Sequence, residues 1–200
     1  MKQTKTIFLA LLVIILSSCS SNDDDENVTL TVKNKSNLHA PSDLRDHETG
    51  EILEVRPYVY FSFETEEIVT QTANWDIAFK GTNIITNSGI NGDAQAAAVV
   101  LVGTLSDITE APADNEFNVD TQILNAIPSG SGNGWYNYNP TTHAITPIPG
   151  RVLVFKTHNG NYAKMEILSY YKDATTTPQP EDSDYYTFNY VYQDNGSKEF

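Results

Sequence analysis

Residues 151–171 read Arg-Val-Leu-Val-Phe-Lys-Thr-His-Asn-Gly-Asn-Tyr-Ala-Lys-Met-Glu-Ile-Leu-Ser-Tyr-Tyr. Two runs rich in β-branched, aromatic and aliphatic side chains, 151–157 and 162–171, flank His158-Asn159-Gly160-Asn161. Asn and Gly accept positive φ at low cost, so the four residues read as the turn of a β-hairpin. In the second run Ala163, Met165 and Ile167 alternate with Lys164 and Glu166, the period of a half-buried strand. Met165 is accordingly a core side chain.

The same chemistry repeats outward. Residues 185–192 form a last strand behind a polar loop holding Pro178 and Pro180. Toward the N-terminus, 28–33 alternates apolar and polar, 34–56 reads as a loop or peripheral excursion, and 58–63 is dense in β-formers. Residues 75–80 alternate, with Trp75, Ile77 and Phe79 expected on one face. Residues 87–92 carry strong turn chemistry, and 96–102 is an apolar run expected as a buried strand. The acidic, Pro-broken stretch 104–122 reads as loop, and the Gly-rich 129–134 leads into Trp135-Tyr136-Asn137-Tyr138. Nowhere does a 3.6-residue period persist. The fold class is all-β: antiparallel strands in packed sheets, one domain over 28–200.

Acids outnumber bases 26 to 12, and the charge of −14 repels a phosphate backbone, so nucleic acid is not an expected partner. A single Cys excludes an internal disulfide and a Cys-based metal centre within one chain. That Cys is placed informatively. Lys2 and Lys5 precede an apolar run over 7–16, too short to span a bilayer at ~20 residues, and Leu16-Ser17-Ser18-Cys19 closes it. This order looks like a bacterial lipobox. Residues 1–18 are then a lipoprotein signal peptide and Cys19 the lipid attachment point. Loss of Lys2 and Lys5 moves the charge from −14 to −16. Residues 19–27 hold four acids in a polar run, a tether that cannot bury apolar area. A Ser/Asn-then-Asp run after the lipidated Cys resembles the surface-export signal of Bacteroidetes lipoproteins. The expected location is the outer membrane, lipid-anchored, at the cell surface.

Catalytic patterns are missing. There is no Gly-x-Ser-x-Gly elbow, and the 129–134 loop lacks the Gly-Lys-Ser/Thr ending of a phosphate loop. Adjacent Glu66 and Glu67 point to opposite faces of a strand, and no acid pair can be given glycosidase roles. The chain reads as a binding protein and not an enzyme. None of its four His residues shares a short metal-ligand spacing with another. His158 is expected as a solvated turn residue, and His39 and His47 lie in irregular sequence. His143 follows Trp135, Tyr136 and Tyr138, where a His beside aromatic rings either ligates a flat cofactor or sits in an ordinary surface loop.

With these residues in view, the chain resembles the HmuY family of Bacteroidetes haem-binding lipoproteins. The resemblance runs through Tyr60-Phe61-Ser62-Phe63, Asn74-Trp75-Asp76-Ile77-Ala78, the 87–92 turn, Gly134-Trp135 and Arg151-Val152-Leu153-Val154. It continues through Gly160-Asn161-Tyr162-Ala163-Lys164 and Thr187-Phe188-Asn189-Tyr190. It implies an all-β fold that holds haem and passes it to a TonB-dependent outer-membrane receptor. It also implies two axial His or two axial Met. One follows the Trp equivalent to Trp135, where a gapless count lands on Asn139 or Pro140 and His143 is the next available donor. The other comes from the loop near 104–118, which here has neither His nor Met, and Met165 is the only Met left after processing. The expectation is therefore haem as cofactor, held through His143 with Trp135, Tyr136 and Tyr138 in the pocket, and with weakened or atypical axial ligation. Arg151, Lys156 and Lys164 are the expected partners of its propionates. The alternative is an HmuY-like, non-enzymatic module for a non-haem ligand such as a glycan or a partner protein, since Tyr136, Tyr138, Tyr170 and Tyr171 suit stacking on a porphyrin or a sugar alike.

Overall fold

A computed structural model describes residues 30–200. The expected signal peptide, Cys19 and the 19–27 tether lie outside the described residues. The strands are β1 (Lys33–His39), β2 (Leu44–Arg45), β3 (Ile52–Glu54), β4 (Val59–Ser62), β5 (Glu67–Val69), β6 (Ile77–Lys80) and β7 (Asn83–Thr86). They continue with β8 (Ala97–Val102), β9 (Tyr136–Tyr138), β10 (Ile145–Pro147), β11 (Arg151–Lys156), β12 (Tyr162–Ser169) and β13 (Tyr185–Gln193). Among the described residues the only helical elements are three 3-10 turns. The fold is all-β, as the alternating runs require.

The hairpin that opened the sequence reading sits at the middle of a five-stranded antiparallel sheet ordered β1-β13-β12-β11-β8. β11 is buried along Val152, Leu153, Val154 and Phe155 because both of its faces are covered, which is why its sequence is continuously apolar. Gly160 takes φ +87° in the connecting turn, a conformation that favours glycine. A second antiparallel sheet runs β5-β4-β6-β7, and β2–β3 and β9–β10 are separate two-stranded hairpins.

One face of each large sheet meets the other. Phe61, Phe63, Ile77, Phe79 and Ile84 pack against Leu153, Phe155, Met165, Ile167, Phe188 and Tyr190. Met165 thus lies in the core with Ala163 and Ile167, as its alternation predicts. The outer face of the five-stranded sheet is covered by the 104–118 loop and the C-terminal residue: Leu105, Ala111, Phe117 and Phe200 against Val152, Val154 and Tyr162. Among the described residues, every side chain of the apolar clusters lies between Leu38 and Phe200, so the chain from residue 20 onward contains all of these clusters.

Three local expectations are corrected. The first described strand is Lys33–His39, not 28–33, and the expected loop 34–56 contains β1 and the β2–β3 hairpin. β1 is an edge strand that adds to β13 through its backbone and buries only Leu38, so its apolar period is weak. Trp75 does not share a face with Ile77 and Phe79. It precedes β6 and packs with Ala78 and Ile85 on the far side of that sheet, its ring edge-on to Tyr60. β8 is buried only at Ala97 and Ala98, because it is the last strand of the sheet and meets only a bridge from Ala98 to Asn118 on its outer side.

Candidate functional site

β9 and β10 form a hairpin whose loop runs from Asn139 to Ala144, closed by the Asn139 N–H donating to the Ala144 carbonyl at 2.8 Å. Asn139 also caps the loop, its side-chain oxygen accepting from the N–H of Thr141 and Thr142. His143 closes the turn at φ +57°, a left-handed conformation uncommon for a non-glycine residue. Its Nδ1 lies 2.7 Å from the Tyr138 hydroxyl across the hairpin. When Nδ1–H donates to that oxygen, Nε2 keeps its lone pair, and no protein group among the described residues bonds it.

His143 forms one wall of a groove of about 510 Å³ together with Thr142, Ala144 and Ile145. Tyr170 and Tyr171, just after β12, line the rest of it with Ser42, Pro178, Gln179, Pro180, Ser183 and Asp184. This volume falls within the ~300–1,000 Å³ usual for small-molecule sites. The walls are tied down. Tyr171 accepts the Ile145 N–H at 2.7 Å, fixing β10 to β12. Tyr170 donates to the Asp184 carboxylate, which also accepts from Ser42 N and Ser42 Oγ, each at 3.1 Å. Burial, with Asp184 beside it, pushes the Tyr170 phenol well above its usual range, so it stays a donor. The residues present fit a haem in part: one imidazole whose Nε2 has no protein partner among the described residues, with aromatic and prolyl side chains in the same lining. No residue of the 104–118 loop lines the groove, and that loop has neither His nor Met. Among the described residues, no group of three or more His, Cys, Asp or Glu could hold a bare metal ion.

The structure brings Tyr138 and His143 together and separates them from the other expected pocket residues. Trp135 is 2% exposed and donates from Nε1 to the Thr82 carbonyl, with its ring against Tyr170 and Tyr186. Tyr136 is also buried, its hydroxyl meeting Thr82 Oγ1. Both are core side chains, Trp135 just before β9 and Tyr136 at its start, whereas Asn137 and Tyr138 are exposed. Asn139 and Pro140 are exposed in the hairpin loop.

The expected propionate partners also lie elsewhere. Lys156 pairs with Asp114, and Lys164 donates to the carbonyls of Leu105 and Ile108 on the outer face of the five-stranded sheet. Arg151 is not among the groove residues. His158 is not a solvated turn residue. Its side chain is 10% exposed, and Asp76 Oδ1 accepts from its backbone N–H and lies 2.8 Å from its Nδ1. This contact ties the β11–β12 turn to the start of β6. Ser42, Asp184 and the 178–183 strap went unrecognised in the sequence. No local pattern joins them, since Ser42 and Asp184 meet across 142 residues.

No curated protein matches the chain. Among solved structures, an apo HmuY analogue from Tannerella forsythia is 18% identical, over 83% of this chain and 97% of its own, with a TM-score of 0.48. Apo PinO from Porphyromonas gingivitis is 19% identical over 82% and 98%, also at 0.48. A candidate HmuY-like haem-binding protein from Bacteroides vulgatus is 16% identical over 68% and 84%, at 0.46. The model of the HmuY protein family matches residues 55–190, most of the chain and all strands from β4 to the greater part of β13, and the chain therefore belongs to the HmuY family.

Proposed function

We propose that the protein is a lipid-anchored haem-binding protein that holds haem in the groove beneath His143 and hands it to a TonB-dependent outer-membrane receptor. The observation that carries this reading is His143: an imidazole in the groove lining, carried on a left-handed backbone, its Nδ1 positioned by Tyr138 and its Nε2 unbonded among the described residues. Haem would supply the iron to which Nε2 coordinates. Tyr138 sets the ring orientation and tautomer, as a hydrogen-bond partner does for metal-bound imidazoles. Ile145, Tyr170, Tyr171, Pro178 and Pro180 exclude water from the porphyrin face. Family membership and the lack of nucleophile or acid–base patterns in the sequence support a binding role over catalysis. Anchoring through Cys19 at the outer-membrane surface belongs to the same proposal, as does the receptor.

Haemin titrated into residues 20–200 tests the reading. A shifted Soret band at micromolar haemin is expected, mainly high-spin, because the 104–118 loop offers no second His or Met. His143→Ala should remove the ligation signature, and Tyr138→Phe should weaken binding about tenfold. An unshifted wild-type spectrum sinks the haem reading. One observation favours a glycan in its place: no Lys or Arg lines the groove itself, whereas Ser42, Gln179, Ser183 and Asp184 suit sugar hydroxyls.

A further inference from the structure

Beside the groove lies a second cavity of about 330 Å³, lined by Ser42, Asp43, Arg45, Lys80, Gly81, Thr82 and Asn83. Ser42 belongs to both cavities and forms the saddle between them. Its hydroxyl and N–H are committed to Asp184 on the groove side. Gly81, at φ +53°, lets Ser42 approach the β6–β7 turn, since a Cβ there would collide with Ser42 Oγ. Ser42 is therefore held in place, and it is the residue the two cavities share.

The charges there are arranged asymmetrically. Lys80 Nζ sits 3.1 Å from Asp43 Oδ1 and over the Tyr58 ring at 4.9 Å from its centroid. The Arg56 backbone N–H, with the Lys80 ammonium, holds the Asp43 carboxyl below its usual range, so Asp43 stays ionised and offsets Lys80. Arg45 is different. One of its N–H groups donates to the Gly50 carbonyl, 3.0 Å away, and the rest of the guanidinium has no protein partner among the described residues. Two cations against one carboxylate give the cavity a net positive charge in a chain of −14. The groove beside it carries Asp184, whose carboxylate accepts from three neutral donors of Ser42 and Tyr170.

We propose that the second cavity is a carboxylate subsite of the groove: a ligand bound beneath His143 extends an acidic substituent over Ser42, where Arg45 and Lys80 receive it. The inference rests on the groove being the ligand site. A planar guanidinium matches a carboxylate in two-point geometry, and Lys80 supplies a charge held in place by Asp43 and Tyr58. A propionate-bearing porphyrin has this chemistry at one edge, and a neutral glycan does not.

Haemin and haemin dimethyl ester, titrated in parallel into residues 20–200 and into Arg45→Gln, decide the matter. The ester keeps the iron and ring and loses both carboxylates. Wild type should prefer the free acid by about tenfold, the value of one charge-assisted hydrogen bond. Arg45→Gln should lose most of that preference while binding the ester as before. Arg45 lies on an exposed hairpin outside the core, so its variant should melt at the wild-type temperature. Equal wild-type affinity for acid and ester, or an unchanged preference in Arg45→Gln, overturns the subsite while the groove stands. A Soret band unmoved by either compound overturns the haem reading and the subsite with it.

Discussion

Asp120 shows how one buried acid organises sequence that looks like loop. It is 1% exposed and accepts from Thr86 N at 2.6 Å, Ala126 N at 2.7 Å and the Asn91 side-chain amide at 2.8 Å. Its carbonyl also receives the Ile90 N–H. The 87–92 turn, the end of β7 and the 120–126 segment are thereby held by a single side chain. Asp120→Ala should destabilise the domain by about 3 kcal/mol, because buried N–H groups lose their acceptor. Urea unfolding measures this, and a loss below about 1 kcal/mol would contradict the role given to Asp120. Asp76 plays the same part for Phe63 N and His158. Neither acid could be picked out from its neighbours in sequence. A carboxylate in a polar stretch looks the same whether it faces water or three amides, and its donors lie up to 82 residues away.

At the scale of elements, the 104–118 loop covers the outer face of the five-stranded sheet and is stapled by charge. Asp114, in the 3-10 turn Asp114–Glu116, meets Lys198 at 2.6 Å, Lys156 at 3.2 Å and the Tyr162 hydroxyl at 3.1 Å. Lys198, then Lys156 and Tyr162, hold its carboxyl down at about 2, against 3.8 when unperturbed. A folded-state pKa below the unfolded value gives stability that is fully present above pH 3.8 and lost as pH falls toward 2. Asp114→Asn should therefore flatten the decline in thermal midpoint across that window and leave the other carboxylates' share intact. Melting curves from pH 2 to 5 for both proteins check this, and parallel curves would remove Asp114 from the account. The loop has neither His nor Met, and its groups are engaged within the domain. Its backbone carbonyls at Leu105 and Ile108 are engaged by Lys164, and its apolar side chains pack on the sheet.

For the whole molecule, lipidation at Cys19 is the expectation with the widest consequence, since it sets where an acidic domain of this kind works. Metabolic labelling with a tagged fatty acid should mark the protein, and Cys19→Ala should lose the label; a labelled Ala variant would refute it. The sequence alone determined the all-β class, the central hairpin of residues 151–171 and the family, because strand alternation, turn residues and motif order are local properties. It also named Tyr138 and His143 as candidates, and the structure places the two in contact across one hairpin, with only His143 in the groove lining. Only the tertiary structure decided the rest. It sent Trp135, Tyr136 and Trp75 into packed interiors, buried His158 on Asp76, and built the groove by bringing Ser42 and Asp184 against Tyr170. Which face an aromatic ring takes, and which distant donor meets a carboxylate, depends on how two sheets pack, and no period in the chain encodes that.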